Sequence, residues 1–181
     1  MIFTQTTLKG SYVIDLEPKG DDRGWFSRTF CENEFKKIGH TAHWVQLNHS
    51  FTKEKGTIRG MHFQTPPYGE IKLVRCISGA VFDVIIDLRK DSPTFLNYFG
   101  IEISSVNKKM IYIPKGFAHG FQTLTNDCEL IYHHSEFYTP NSEGGIKYND
   151  PKIAIKWPIQ MQSISERDNL HPLINTNFKG L

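Results

Sequence analysis

The sequence predicts an all-β protein, a sandwich or jelly-roll barrel, on three observations. Strand formers are abundant, with thirteen Phe and seven Tyr, residues that pack well on a pleated surface. Short apolar segments recur at regular spacing with turn signals between them. Helical periodicity is confined to one short stretch, which argues against alternating βαβ units.

That stretch is Glu32–Ile38, where Phe35 and Ile38 recur three apart before Gly39 stops the helix. The first strand candidate, Leu73–Ile77, ends at the Ser78-Gly79 turn. Val81–Leu88 follows, rich in β-branched and aromatic residues and closed by the loop Arg89–Pro93. Phe99–Ile103 precedes a turn at 105–108, and Met110–Ile113 precedes Pro114-Lys-Gly116. Gly120–Leu124 leads to the turn Thr125-Asn-Asp127, and Glu129–His134 completes the set. A small barrel has a mouth where inward side chains of several strands converge. His62, Lys72, His119 and Tyr132 lie on or beside these segments and are placed to face one cavity.

A chain of 181 residues suits one domain spanning 1–181 and buries roughly 70% of its unfolded surface. Lys and Arg outnumber Asp and Glu by only 21 to 19, without the basic block that marks a nucleic-acid partner. Cys31, Cys76 and Cys128 are an odd set without paired spacing, so no disulfide framework is expected. Residues 1–7 have no basic stretch leading into an apolar run, so no signal peptide is expected. No segment approaches the ~18 apolar residues of a membrane span. The expected compartment is the cytoplasm, with no membrane partner.

Arg59-Gly-Met-His62 is the most informative stretch, with Lys72 ten residues on. Removing a proton beside a ketone needs a base that titrates near neutrality, and imidazole does so at about 6.5. It also needs donors aimed at the ketone oxygen, which becomes the enolate. Lys72 and Arg59 carry the right charge. The plain alternative is a half-buried histidine beside a surface lysine.

Pro114-Lys-Gly-Phe-Ala-His119 is the second stretch, and its turn sets His119 at the start of a strand. It resembles the second half of the cupin motif pair, with His62 in the first half. A divalent metal on His62, Gln64, Glu70 and His119 is open on these residues, although Gln64 stands where metal-binding cupins carry a histidine. Tyr132 can act as a general acid or serve as an aromatic core residue. Asp168 in Ser165-Glu-Arg-Asp168 can hold the second nitrogen of His62 or belong to a surface turn.

Together these stretches make the chain resemble the dTDP-4-dehydrorhamnose 3,5-epimerase family over nearly its whole length. The resemblance rests on Asp22-Arg-Gly24 with Phe26, Gln46-x-Asn48, Arg59-Gly-Met-His62, Lys72-Leu-Val-Arg75 and Asp83. It continues in Asp91–Phe95, Pro114-x-Gly-Phe-Ala-His-Gly-Phe121, Tyr132, Tyr138, Asn149-Asp-Pro151, Trp157-Pro158 and Ser165-x-x-Asp168. It implies a cupin-type jelly roll that epimerises a nucleotide-linked 4-keto sugar without cofactor or metal. His62 would be the base and Asp168 its partner, with Lys72 at the enolate oxygen, Arg59 nearby, and Tyr132 the acid. It further implies a homodimer in which an arm around Arg23 and Phe26 reaches the partner's nucleotide. Gln46, Asn48, His119 and Tyr138 match positions lining that site.

Two departures stand out: Arg28 where many members carry a glutamate near the nucleobase, and Glu70 where a glutamine commonly precedes the lysine. A guanidinium cannot accept the hydrogen bond that a carboxylate accepts. A CDP- or GDP-linked keto sugar and inversion at one carbon therefore stay open beside the dTDP sugar. A metal-dependent cupin and a saccharide-binding module are the remaining alternatives.

Overall fold

The computed structural model describes residues 1–181. In chain order its strands are β1 (Ile2–Gln5), β2 (Tyr12–Asp15), β3 (Lys19–Asp21), β4 (Gly24–Phe26), β5 (Gln46–Thr52), β6 (Thr57–Gln64) and β7 (Lys72–Ser78). They continue as β8 (Ala80–Asp87), β9 (Tyr98–Ser104), β10 (Met110–Ile113), β11 (Phe117–Thr123), β12 (Cys128–His134), β13 (Glu143–Gly145) and β14 (Ser163–Ile164). Helix α1 (Glu32–Phe35) runs into a 3₁₀ turn, Lys36–Ile38, and α2 (Glu166–Asn169) follows β14. Gly39, at φ 81°, ends the first helical segment as its position predicts.

One sheet has the order β1-β2-β10-β7-β12-β5. The other has the order β13-β6-β11-β8-β9, with β14 beside β6 in parallel. They face each other as the expected jelly roll, and β3 and β4 form a separate hairpin. Strand β8 explains why both faces are apolar. Val81 and Ile85 point into the barrel with Val74, Ile111 and Leu130, whereas Val84 and Ile86 point outward beneath Ile146, Ile153 and Trp157. A strand buried on both sides reads as a continuous apolar run. A third cluster, Ile14, Leu73, Met110 and Tyr112, is roofed by Phe35, Phe30 and Trp44 on the outer side of the first sheet.

Two differences from the sequence reading bear on function. Strand β11 begins at Phe117 rather than Gly120, so His119 is fully paired within the sheet, opposite Ile85 and His62. Strands β5 and β6, which frame the barrel mouth, are additional to the expected set. In β5 the usual pattern is reversed: Gln46, Asn48 and Ser50 line the interior while Leu47 and Phe51 are exposed. A strand lining a polar cavity loses the apolar-inward alternation that identifies strands in sequence.

Candidate active site

A cavity of about 700 Å³ opens at one end of the barrel, and both sheets line it. On the first sheet, register places Lys72 opposite His134 and His134 opposite Gln46, and in the next inward row Val74, Tyr132 and Asn48. On the second sheet His62 and His119 are direct partners, and Arg59 lies opposite Phe121.

Arg59 and His62 are three residues apart and should point to opposite faces of a regular strand. Both line the cavity because β6 carries one more residue than β11 between His119 and Phe121, a β-bulge. Gly60 makes the bulge possible. Its φ is +113°, and a Cβ there would lie 2.7 Å from Gly120 Cα and 2.8 Å from the His119 carbonyl oxygen. The bulge also frees the Gly60 N–H, which donates to Asp168 Oδ2 at 2.9 Å.

Asp168 Oδ1 accepts from His62 Nε2 at 2.8 Å. Asp168 is therefore buried rather than part of a surface turn. Ser165 caps α2 by accepting from the Asp168 N–H at 3.1 Å, which fixes the backbone that presents the carboxylate. Burial alone would raise the pKa of Asp168. The His62 and Gly60 hydrogen bonds and the nearby charges of His62 and Arg167 outweigh it and hold the group well below the usual carboxylate range. A carboxylate can only accept, so His62 Nε2 carries a proton and a neutral ring keeps its lone pair on Nδ1. Nδ1 has no protein partner and is not sealed from the cavity.

Tyr132 comes from the opposite sheet. Its hydroxyl lies 3.0 Å from Ser50 Oγ, and its ring meets His119 edge-on at 6.2 Å. Burial pushes its phenol above the ordinary tyrosine value, against a smaller lowering by the Ser50 hydrogen bond. It thus stays protonated near neutral pH, as an acid must. His119 donates from Nε2 to Asp83 Oδ2 at 2.9 Å, and both groups are buried. Arg59 is held by Thr52 Oγ1 and the Phe51 carbonyl. Lys72 Nζ pairs with Glu70 Oε1 at 3.1 Å. The Tyr138 hydroxyl donates to Glu143 Oε2 at 2.8 Å at the exposed lip.

The tetrad considered for a metal does not assemble. Gln64 Nε2 donates to the Tyr68 and Phe137 carbonyls, and its Oε1 accepts from the Thr139 N–H, so it braces a loop. Glu70 turns to Lys72 and His134, and His119 to Asp83. The group that does come within ligating range is His62, Asp168 and His171. Arg167 lies against the same atoms, 3.3 Å from His62 Nε2 and 3.4 Å from Asp168 Oδ1.

Arg23, Phe26 and Arg28 do not reach this cavity. Arg23 projects from the β3–β4 turn and pairs with Asp21, and Phe26 is 77% exposed at the end of β4. Arg28 pairs with Glu34 at 3.0 Å. Sequence reading also missed Ser50, Glu143, Arg167 and His171. Only Arg167 carried a signal, as the neighbour of Asp168.

A jelly roll with a histidine–carboxylate dyad on one wall, a phenol on the other and cations between them defines a cupin-type isomerase. The particular family follows from comparison. A match to the family described as dTDP-4-dehydrorhamnose 3,5-epimerase spans residues 5–176, and the chain belongs to that family. The dTDP-4-dehydrorhamnose 3,5-epimerase of Salmonella typhimurium is 45% identical over 167 residues, 90% of this chain and 91% of the relative. The Bacillus anthracis enzyme, solved with TDP and PPi bound, superposes with a TM-score of 0.92 at 38% identity, covering 96% of this chain and 99% of that one. The Legionella pneumophila enzyme in complex with dTDP-4-keto-L-rhamnose gives 0.91 at 37% identity, covering 97% and 94%.

Proposed function

We propose that the protein converts dTDP-4-dehydro-6-deoxy-D-glucose into dTDP-4-dehydro-L-rhamnose by inverting C3 and C5. The observation that carries this reading is the placement of base and acid on opposing sheets, His62 on β6 and Tyr132 on β12. Inversion beside a ketone requires a proton to leave one face and another to arrive at the opposite face.

In this reading His62 Nδ1 takes the proton from carbon, and the C–H electron pair moves onto the ketone oxygen as an enolate. Asp168 stabilises the imidazolium through Nε2. Lys72 opposes the oxygen's negative charge, with Arg59 contributing to the field. The Tyr132 hydroxyl gives its proton to the other face, and the phenolate recovers a proton from solvent. His119, Gln46, Asn48 and Tyr138 bind the sugar nucleotide around this centre.

The reading extends to a homodimer. The exposed β3–β4 hairpin, with Trp25 and Phe26, and the exposed Leu47 and Phe51 on edge strand β5 are apolar surface suited to a second copy. In that assembly Arg23, Phe26 and Arg28 approach the partner's nucleotide. The assigned compartment is the cytoplasm, in keeping with three free thiols. No helix is long and apolar enough to cross a membrane.

Incubation with the dTDP sugar in heavy water, with and without chelator, tests the reaction. Deuterium at both C3 and C5, indifferent to chelator, is the expected result. Label at one carbon alone, or its loss on chelation, refutes the reading as stated. Light scattering should return twice the mass of the chain, and a monomer removes the dimer.

A further inference from the structure

Lys72 is nine-tenths buried, and so are the two groups behind it, Glu70 and His134. An ammonium in such a place requires a carboxylate, and Glu70 supplies one at 3.1 Å. The other oxygen of that carboxylate is held harder, 2.6 Å from His134 Nδ1. Behind it the donors and acceptors follow in one direction. The Tyr138 backbone N–H donates to Gln46 Oε1, Gln46 Nε2 to Asn48 Oδ1, and Asn48 Nδ2 to His134 Nε2. His134 Nε2 therefore accepts, and Nδ1 carries the hydrogen that goes to Glu70. Glu70 cannot turn without breaking a short bond at the end of a chain rooted in the backbone.

This arrangement exceeds what neutralising a buried lysine needs, since one oxygen would do that. A lysine is a point charge on a flexible four-carbon stem. Its value to an enolate depends on where the nitrogen stands, and a shift of about 1 Å in a reacting geometry costs on the order of 100-fold in rate. We propose that Glu70 is a positioning residue which, braced by His134, fixes the Lys72 ammonium against the ketone oxygen of the substrate. The inference rests on the epimerase reading, in which Lys72 faces that oxygen.

The test is a double-mutant cycle on deuterium incorporation from heavy water into dTDP-4-dehydro-6-deoxyglucose. Glu70→Gln should lower kcat about 10- to 100-fold with KM changed less than about 3-fold. Added to Lys72→Met, it should change the rate less than about 2-fold, because a residue acting through Lys72 has nothing left to act on. Equal losses in both backgrounds, or an unchanged or faster Glu70→Gln enzyme, overturn the proposal. Should Glu70→Gln not fold, as judged by binding of thymidine diphosphate, His134→Gln carries the same cycle with a smaller expected loss. Long-range proton–nitrogen NMR of the wild type should find the His134 ring protonated at Nδ1, and the opposite tautomer also overturns it. Wild-type enzyme that incorporates no label sinks the epimerase reading and the positioning role with it. Label in the wild type with additive losses sinks the positioning role alone.

Discussion

Asp87 and Asp168 are both buried, and both are held below the usual carboxylate range, yet they are built differently. Asp87 ends β8, and all its partners are local. The Arg89 N–H and Nε donate to Oδ1, and Arg89 Nη2, Ser92 Oγ and Thr94 Oγ1 donate to Oδ2. Burial works against the charge, but these donors bring its pKa down to about 2. Asp168 takes its main donors from residues more than a hundred positions away, Gly60 and His62. The difference lies in the partner. The donors to Asp87 spend what they have left on other structure, Arg89 Nη2 on the Lys9 carbonyl at 2.9 Å, whereas His62 gives one nitrogen to Asp168 and keeps the other open to the cavity. A carboxylate that ties a loop and the carboxylate proposed to serve a reaction differ in where the remaining bonding capacity of their donors goes.

The largest expected effect sharpens that contrast. His62→Ala should abolish deuterium exchange at both carbons, a loss of about 10³-fold or more, while circular dichroism and thymidine diphosphate binding stay as in the wild type. Residual exchange at either carbon would mean a second base. Asp168→Asn should lower exchange by about 100-fold, in the range of lost supporting hydrogen bonds to a reactive histidine. A loss below about 3-fold would put Asp168 in the same class as Asp87. Tyr132→Phe should reduce product formation by about 10-fold more than it reduces label washed into recovered substrate. Equal reductions would remove the acid from the opposite wall.

The smallest effect on activity belongs to Asp87→Asn, with exchange per folded molecule unchanged. Its effect is on stability. The folded pKa lies below the unfolded value of about 3.9, so the contribution is present above about pH 4 and lost as pH falls through about 2. Near neutrality it amounts to about 2 kcal/mol. Urea unfolding should separate wild type from Asp87→Asn by that amount at pH 7 and bring the two together near pH 2. A gap that persists in acid would assign the loss to packing rather than charge.

The sequence made the two-sided strands legible and the polar ones obscure. Val81–Leu88 announces itself because each face meets an apolar layer. Gln46–Thr52 does not, because its inward residues are polar and face the cavity. That His62, Lys72 and Tyr132 line one cavity was readable from residue chemistry and resemblance. The 106-residue separation of His62 and Asp168 leaves no local trace of their hydrogen bond. Glu70 and Gln64 left a metal open for the same reason. A side chain suited to a metal is equally suited to an ion pair or a loop brace, and only the fold decides between them.

The extra residue in β6 has a further consequence. It works like a skipped stitch, after which odd and even positions exchange sides, so a guanidinium and an imidazole of opposite parity come to share one chamber. An engineer who regularised that strand by deleting Gly60 would keep every reactive group in the chain. Arg59 and His62 would then stand two positions apart and still share a side, but the amide that the kink aims at Asp168 would be gone, and the dyad would lose an anchor without a single functional side chain having been replaced.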